Sequence, residues 1–157
     1  AGFFVAGIVM VLVIISDAST AVLVGAVICL LILIKNLADS HYHLKIYESD
    51  KLIKEYSGVK EVSIKDNFGG DKLVYGLEGI LVYFNSNLHA KRLEKIKYND
   101  IEISTEHLFM ADYDGTIAIA KAIEKLEKMD KKVIFTNLHP NVRKVFIENP
   151  TLKKFLD

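Results

Sequence analysis

The sequence predicts a two-part α/β chain, a short transmembrane helical hairpin followed by a β-sheet with crossover helices. Three observations predict it. Residues 1–34 hold one charged side chain, Asp17, whereas the sequence from Lys35 onward is conspicuously polar. The apolar block is interrupted near its middle by Ser16-Asp17-Ala18-Ser19-Thr20, a run with four helix-capping residues. The polar remainder alternates β-branched and aromatic runs with stripes of helical period.

The 157 residues have room for one domain plus a membrane element. From Lys35 on there are 20 basic and 19 acidic side chains, so the soluble part is near neutral and lacks the basic face of a nucleic-acid binder. The single cysteine, Cys29, lies in the apolar block, so no disulfide framework is possible. The chain starts at Ala within apolar sequence, which is read as the C-terminal part of something larger.

As one helix, residues 1–34 would run roughly 51 Å, against a hydrocarbon core of about 30 Å. Residues 16–20 must therefore break it into helices over 2–15 and 19–34, each short for a full span at roughly 21–24 Å. Such a pair is expected to pack against other protein. Gly2, Ala6, Gly7, Ala18, Ala21, Gly25 and Ala26 suit close helix contact in lipid. A carboxylate inside a membrane often marks an ion path, but Asp17 is better placed to cap the second helix at the hairpin turn. Lys35, His41, His43 and Lys45 follow that helix and no basic residue precedes it, so the following domain is expected in the cytoplasm.

Residues 35–58 read as a mixed connector, and 59–157 as the soluble domain. His41 and His43 have metal-binding spacing without the acidic or cysteine partners of a metal site, so a solvated loop is expected there. Residues 59–64 alternate as a short strand and 67–71 carry turn chemistry. Strands are expected at 73–75 and 79–84, a helix at 87–97, and a strand at 101–109. The clearest helix is 116–129, with Ile119, Ala120, Ile123, Leu126 and Met129 on one stripe. A buried strand at 132–136 follows. Pro140 opens a helix through Ile147, and 152–156 forms a terminal turn or helix. His89, His107 and His139 are scattered over separate elements without a nucleophile or nucleotide loop, so no enzyme and no cofactor are expected.

Between the strand at 101–109 and the helix at 116–129 stands Met110-Ala111-Asp112-Tyr113-Asp114-Gly115-Thr116. Asp114 is placed to cap the helix, and Gly115 to permit the tight turn. A cation between Asp112 and Asp114 would lack a third ligand, so turn formation is the better account.

This corner resembles the STAS domain, whose hallmark is a strand ending in Asp-x-Ser-Gly at a helix start. The matching residues are Asp112, Tyr113, Asp114 and Gly115. Lys132-Val133-Ile134-Phe135-Thr136-Asn137-Leu138 is similar to the family's next strand, residues 141–147 to its next helix, and Gly79-Ile80-Leu81-Val82-Tyr83-Phe84 to an earlier strand. With an apolar helix pair directly upstream, the chain resembles the C-terminal end of a SulP-family (sulfate permease) anion transporter. The resemblance implies a STAS-like mixed sheet, a multi-pass membrane protein, and secondary transport of sulfate, bicarbonate or a related inorganic anion, coupled to a cation or in exchange. It also implies a homodimer and an anion site upstream of this chain. Asp112, Asp114, Gly115 and Thr116 become candidates for a regulatory loop facing a cytosolic regulator. In anti-sigma-factor antagonists of the family a kinase phosphorylates a serine where this chain has Asp114. A carboxylate there presents a fixed charge, which excludes that switch. The alternative is a membrane-anchored STAS module that binds a partner through the Asp112–Thr116 loop and the exposed faces around Lys121–Lys128, the helices serving only as anchor.

Overall fold

The computed structural model describes residues 2–15, 17–57 and 69–156, in two compact units that divide after Ala38. The first is a pair of helices, α1 (Gly2–Ile15) and α2 (Ala18–Ala38). The break falls where the capping residues predict it. Thr20 donates its backbone N–H to Asp17 Oδ1 at 2.8 Å and its hydroxyl to Oδ2 at 3.0 Å, so Asp17 satisfies the helix start. At Gly25 an added Cβ would lie 2.7 Å from Val9 Cγ2, so the two helices touch where a small residue is present. One expectation is corrected. Helix α2 is not short: Ala18–Asn36 is long and apolar enough to cross a membrane, because Lys35 and Asn36 continue the helix beyond the apolar run. Leu23, Leu30, Leu31 and Leu33 face outward, an arrangement that is costly in water and cheap in lipid.

The second unit is a five-stranded mixed sheet in the order β2-β1-β3-β4-β5. Its strands are β1 (Tyr42–Glu48), β2 (Lys51–Ser57), β3 (Lys72–Leu81), β4 (Asp100–Ala111) and β5 (Lys132–Thr136). The first three pair antiparallel, and β3-β4-β5 pair parallel. The fold class is thus as predicted, but the expected connector at 35–58 is not one. Tyr42, Leu44 and Ile46 alternate into the core, and Ser49 and Asp50, with φ of 49° and 64°, form the two-residue turn that joins β1 to β2. His43 is consequently a buried strand residue and not part of a solvated loop, whereas His41 is exposed. The strand expected at 59–64 lies outside the described residues.

Helices α3 (Tyr83–Glu94) and α4 (Tyr113–Lys128) are the two parallel crossovers. Since β3, β4 and β5 step across the sheet in one direction, right-handed connections put both helices on the same face. Under them lies one apolar core: Leu44, Tyr75, Leu81 and Ile103 from the sheet meet Leu93, Ile119, Ile123 and Leu126 from the helices. Met129, expected on that stripe, is exposed because α4 ends at Lys128. Helix α5 (Pro140–Glu148) buries Val142 and Phe146, and the single turn α6 (Pro150–Lys153) buries Leu152.

The two strands expected at 73–75 and 79–84 are one strand that ends early. Asn85 accounts for the stop. Its Oδ1 accepts the Val82 N–H at 3.0 Å and its Nδ2 donates to the Ile80 carbonyl at 2.7 Å, which turns Tyr83 and Phe84 out of the sheet into the first turn of α3. Replacing Asn85 by Ala removes both bonds at a buried position. We expect a loss of about 1–3 kcal/mol, read as a lower unfolding midpoint of the purified chain in detergent.

Candidate functional site

The corner named by the sequence forms where β3 and β4 end side by side. Leu81 and Ala111 are register partners, and the Asp112 N–H donates to the Leu81 carbonyl at 3.0 Å. Asp112 then caps α4: its Oδ1 accepts the Gly115 N–H at 2.5 Å. This corrects the assignment of the cap to Asp114, which lies inside the first helical turn and is exposed. There its charge complements the helix dipole without a cap bond.

Gly115 is required for a different reason from the one expected. It adopts no left-handed conformation; instead a Cβ would stand 2.7 Å from the Leu81 carbonyl oxygen and 2.9 Å from Asp112 Oδ1. The glycine lets the α4 start press against the end of β3. Thr116 is fully buried, its hydroxyl donating to the Tyr113 carbonyl at 2.6 Å and accepting from Asn149 Nδ2 at 3.4 Å. Asn149 also caps α6, so Thr116 ties the corner to the end of the chain. Of the four candidates, Asp112, Gly115 and Thr116 form one bonded structure and Asp114 alone faces solvent. Asp17 belongs to the other unit.

Two polar clusters were not singled out by the sequence. Beneath α3, Arg92 is nine-tenths buried. It donates to the backbone carbonyl and the hydroxyl of Ser40, and its guanidinium lies 4.3 Å from the centre of the Tyr42 ring. Beside it Tyr75 Oη and His89 Nδ1 are 2.8 Å apart. Burial pushes the Tyr75 hydroxyl up, opposed by Arg92. Burial, reinforced by Arg92 and His41, pushes His89 down to about 3. His89 is therefore neutral and structural, and the only sequence signal for this network was Arg92 on the inward stripe of its helix.

On the opposite sheet face, the His43 ring lies over Gly76, where a Cβ would collide with it, and bonds Glu78 at 2.8 Å. His107 is exposed and meets the His43 ring edge-on, 5.9 Å between centres. Further along that face Lys72, Glu102 and Ser104 line a cleft of about 280 Å³. Burial pushes the Glu102 carboxyl up, but hydrogen bonds from Lys72 and Thr136 outweigh it and hold the group low. Among the described residues no cluster of His, Cys, Asp and Glu is arranged to hold a metal.

This arrangement has solved counterparts. The murine anion transporter Slc26a9, in its inward-facing state, is similar over 96% of this chain and 26% of its own, with a TM-score of 0.71 at 14% identity. A second SLC26A9 structure gives 0.70 at 12% identity, with the same coverage. The helix pair and the mixed α/β sheet unit are similar in fold to part of these transporters. The likeness is one of fold, and the chain spans about a quarter of those transporters' length. The unphosphorylated anti-sigma factor antagonist SpoIIAA overlaps 51% of this chain and 76% of its own, at a TM-score of 0.41 and 22% identity. No family model and no curated protein sequence matches the chain.

Three outcomes are expected in thermal unfolding of the purified chain in detergent. Asp112→Ala costs about 1 kcal/mol and Asp114→Ala less than about 0.5, reversing the order the sequence suggests. Gly115→Ala lowers the midpoint although alanine is the better helix former, because the Leu81 carbonyl cannot yield without disturbing β3. The third outcome is a pH dependence. The folded state resists protonating His89 while the unfolded state titrates near 6.5, so stability present above that value is lost as pH falls towards 3, by about 2 kcal/mol at pH 5. The fall from pH 7 to pH 5 should be smaller in His89→Gln.

Proposed function

We propose that this chain is the C-terminal part of a secondary anion transporter, its STAS-like unit serving a structural and regulatory role. The observation that supports the reading is that 96% of the chain, helix pair and sheet both, is similar in fold to about a quarter of a solved anion transporter. On this reading α1 and α2 are the last helices of a multi-pass membrane domain and the STAS-like unit is cytoplasmic, which the basic residues after α2 support. The substrate is sulfate, bicarbonate or a related inorganic anion, held upstream of this chain. Helix N-termini offer such a site elsewhere in transporters of this kind; Asp17, a carboxylate at the start of α2, suits a turn and not an anion ligand. The protein is a homodimer and performs no covalent chemistry. Asp114, with Tyr113 exposed beside it, is the part of the Asp112–Thr116 corner available to a regulator.

A second reading, the anchored binding module, draws support from the length of α2, which suffices as an anchor alone. Uptake of radiolabelled sulfate, bicarbonate and chloride into vesicles by the intact protein decides between them. Uptake above protein-free vesicles for at least one anion is expected, and Gly115→Val should reduce it through loss of folded protein. Absence of uptake for all three by correctly folded protein would leave the anchored module.

A further inference from the structure

Helices α3 and α4 enclose a groove of about 420 Å³ on their outer side, away from the sheet. Its floor includes Ala90 and Ala118, small enough to let another backbone approach. Its α4 wall carries Ala118, Lys121, Lys125 and Lys128, spaced three, four and three residues apart and so aligned on one helix stripe. Lys91 stands on the α3 wall.

The charges there are unequal. The two acids of the groove are already engaged within the chain: Glu94 holds Lys125 at 2.7 Å, and Glu124 accepts the Thr151 hydroxyl at 2.6 Å. Lys91, Lys121 and Lys128 are exposed and, among the described residues, meet no carboxylate. From Lys35 onward the charges nearly balance, whereas in the groove four lysines face only Glu94 and Glu124, a local excess of two positive charges around Ala90 and Ala118. A solvated lysine face needs no such floor, and an inorganic ion would not use one.

We propose that the α3–α4 groove docks an acidic amphipathic helix of a cytosolic partner. Its small apolar face lies on Ala90 and Ala118, and its carboxylates meet Lys91, Lys121 and Lys128. This rests on the reading of the unit as regulatory and gives the regulator a chemistry. It places recognition on the helix faces, apart from the Asp112–Thr116 corner.

The test uses the whole chain in detergent micelles and a fluorescein-labelled 18-residue peptide with Ala and Leu at helical spacing and Glu elsewhere, read by fluorescence anisotropy. A counterpart with Gln for Glu is the control. The Glu peptide should bind and the Gln peptide should not. Raising salt from about 0.05 to 0.5 M should weaken binding at least about tenfold. The triple variant Lys91→Glu, Lys121→Glu, Lys128→Glu should weaken it by a similar factor while keeping the wild-type melting profile. The charge-matched variant Lys132→Glu, Lys144→Glu, Lys153→Glu should bind as wild type.

Equal binding of both peptides, equal loss in both triple variants, or no binding overturns the proposal. So does self-association in the ultracentrifuge that the groove variant alone abolishes, which would put a second copy there. Partition into phosphatidylglycerol-doped micelles that only the groove variant loses, without peptide binding, would put lipid there and overturn it equally. Anion uptake is measured separately, so failure of peptide binding leaves the transport reading standing, and failure of uptake leaves the groove result standing.

Discussion

The sheet unit depends on one carbonyl group. Leu81 ends β3, and its oxygen accepts the N–H of Asp112 while Gly115 packs against it too closely for any Cβ. That contact sets how far α4 slides along the sheet, and hence which of its residues meet the core. Ile119, Ile123 and Leu126 reach the apolar layer because α4 begins where it does. Thr116 passes the constraint on through Asn149 to the closing turn α6. A corner that merely reversed the chain would need a flexible glycine; this one needs an absent side chain.

The polar interior follows a different rule. Arg92 is buried against a carbonyl, a hydroxyl and an aromatic face, and among the described residues no carboxylate pairs with it. Burying a guanidinium carries a desolvation cost that its hydrogen bonds and the Tyr42 ring must offset. The neighbouring His89 cannot also be charged, and its neutrality leaves one ring nitrogen to pair with the Tyr75 hydroxyl. The network thus fixes side-chain orientations around the start of β1.

Periodicity carried the sequence reading where one face of an element is plainly apolar. The stripe of α4 is of this kind, whereas capping residues marked the break at Asp17 and a proline the start of α5; β5 is a strand as expected, but of its residues only Val133 is buried. Periodicity failed where a single hydrogen-bonding side chain overrides propensity. Tyr83 and Phe84 have strand chemistry, yet Asn85 bonds back to residues 80 and 82 and makes them helical. The β1–β2 hairpin was missed because charged residues dilute its alternation and its turn, Ser49-Asp50, lacks glycine. At the corner the acidic pair was legible but not which acid caps, since that depends on a two-residue difference in where α4 starts. The lysine face of α4 was legible from its helical spacing, but its α3 wall and the partners of Arg92 come from distant segments, which no local pattern reports.

One further feature is the length of β4. It runs from Asp100 to Ala111, but among the described residues only Asp100–Ser104 pair with β5, and α5 also packs against β4. A strand border without a paired neighbour is a template on which a foreign strand can zip. Glu106 and His107 put polar groups along it, and Thr105 ties its hydroxyl to the carbonyls of Thr136 and Asn137, which narrows the approach. Neutralising that protection would make misassembly between neighbouring molecules, not loss of the fold, the first failure of the sheet.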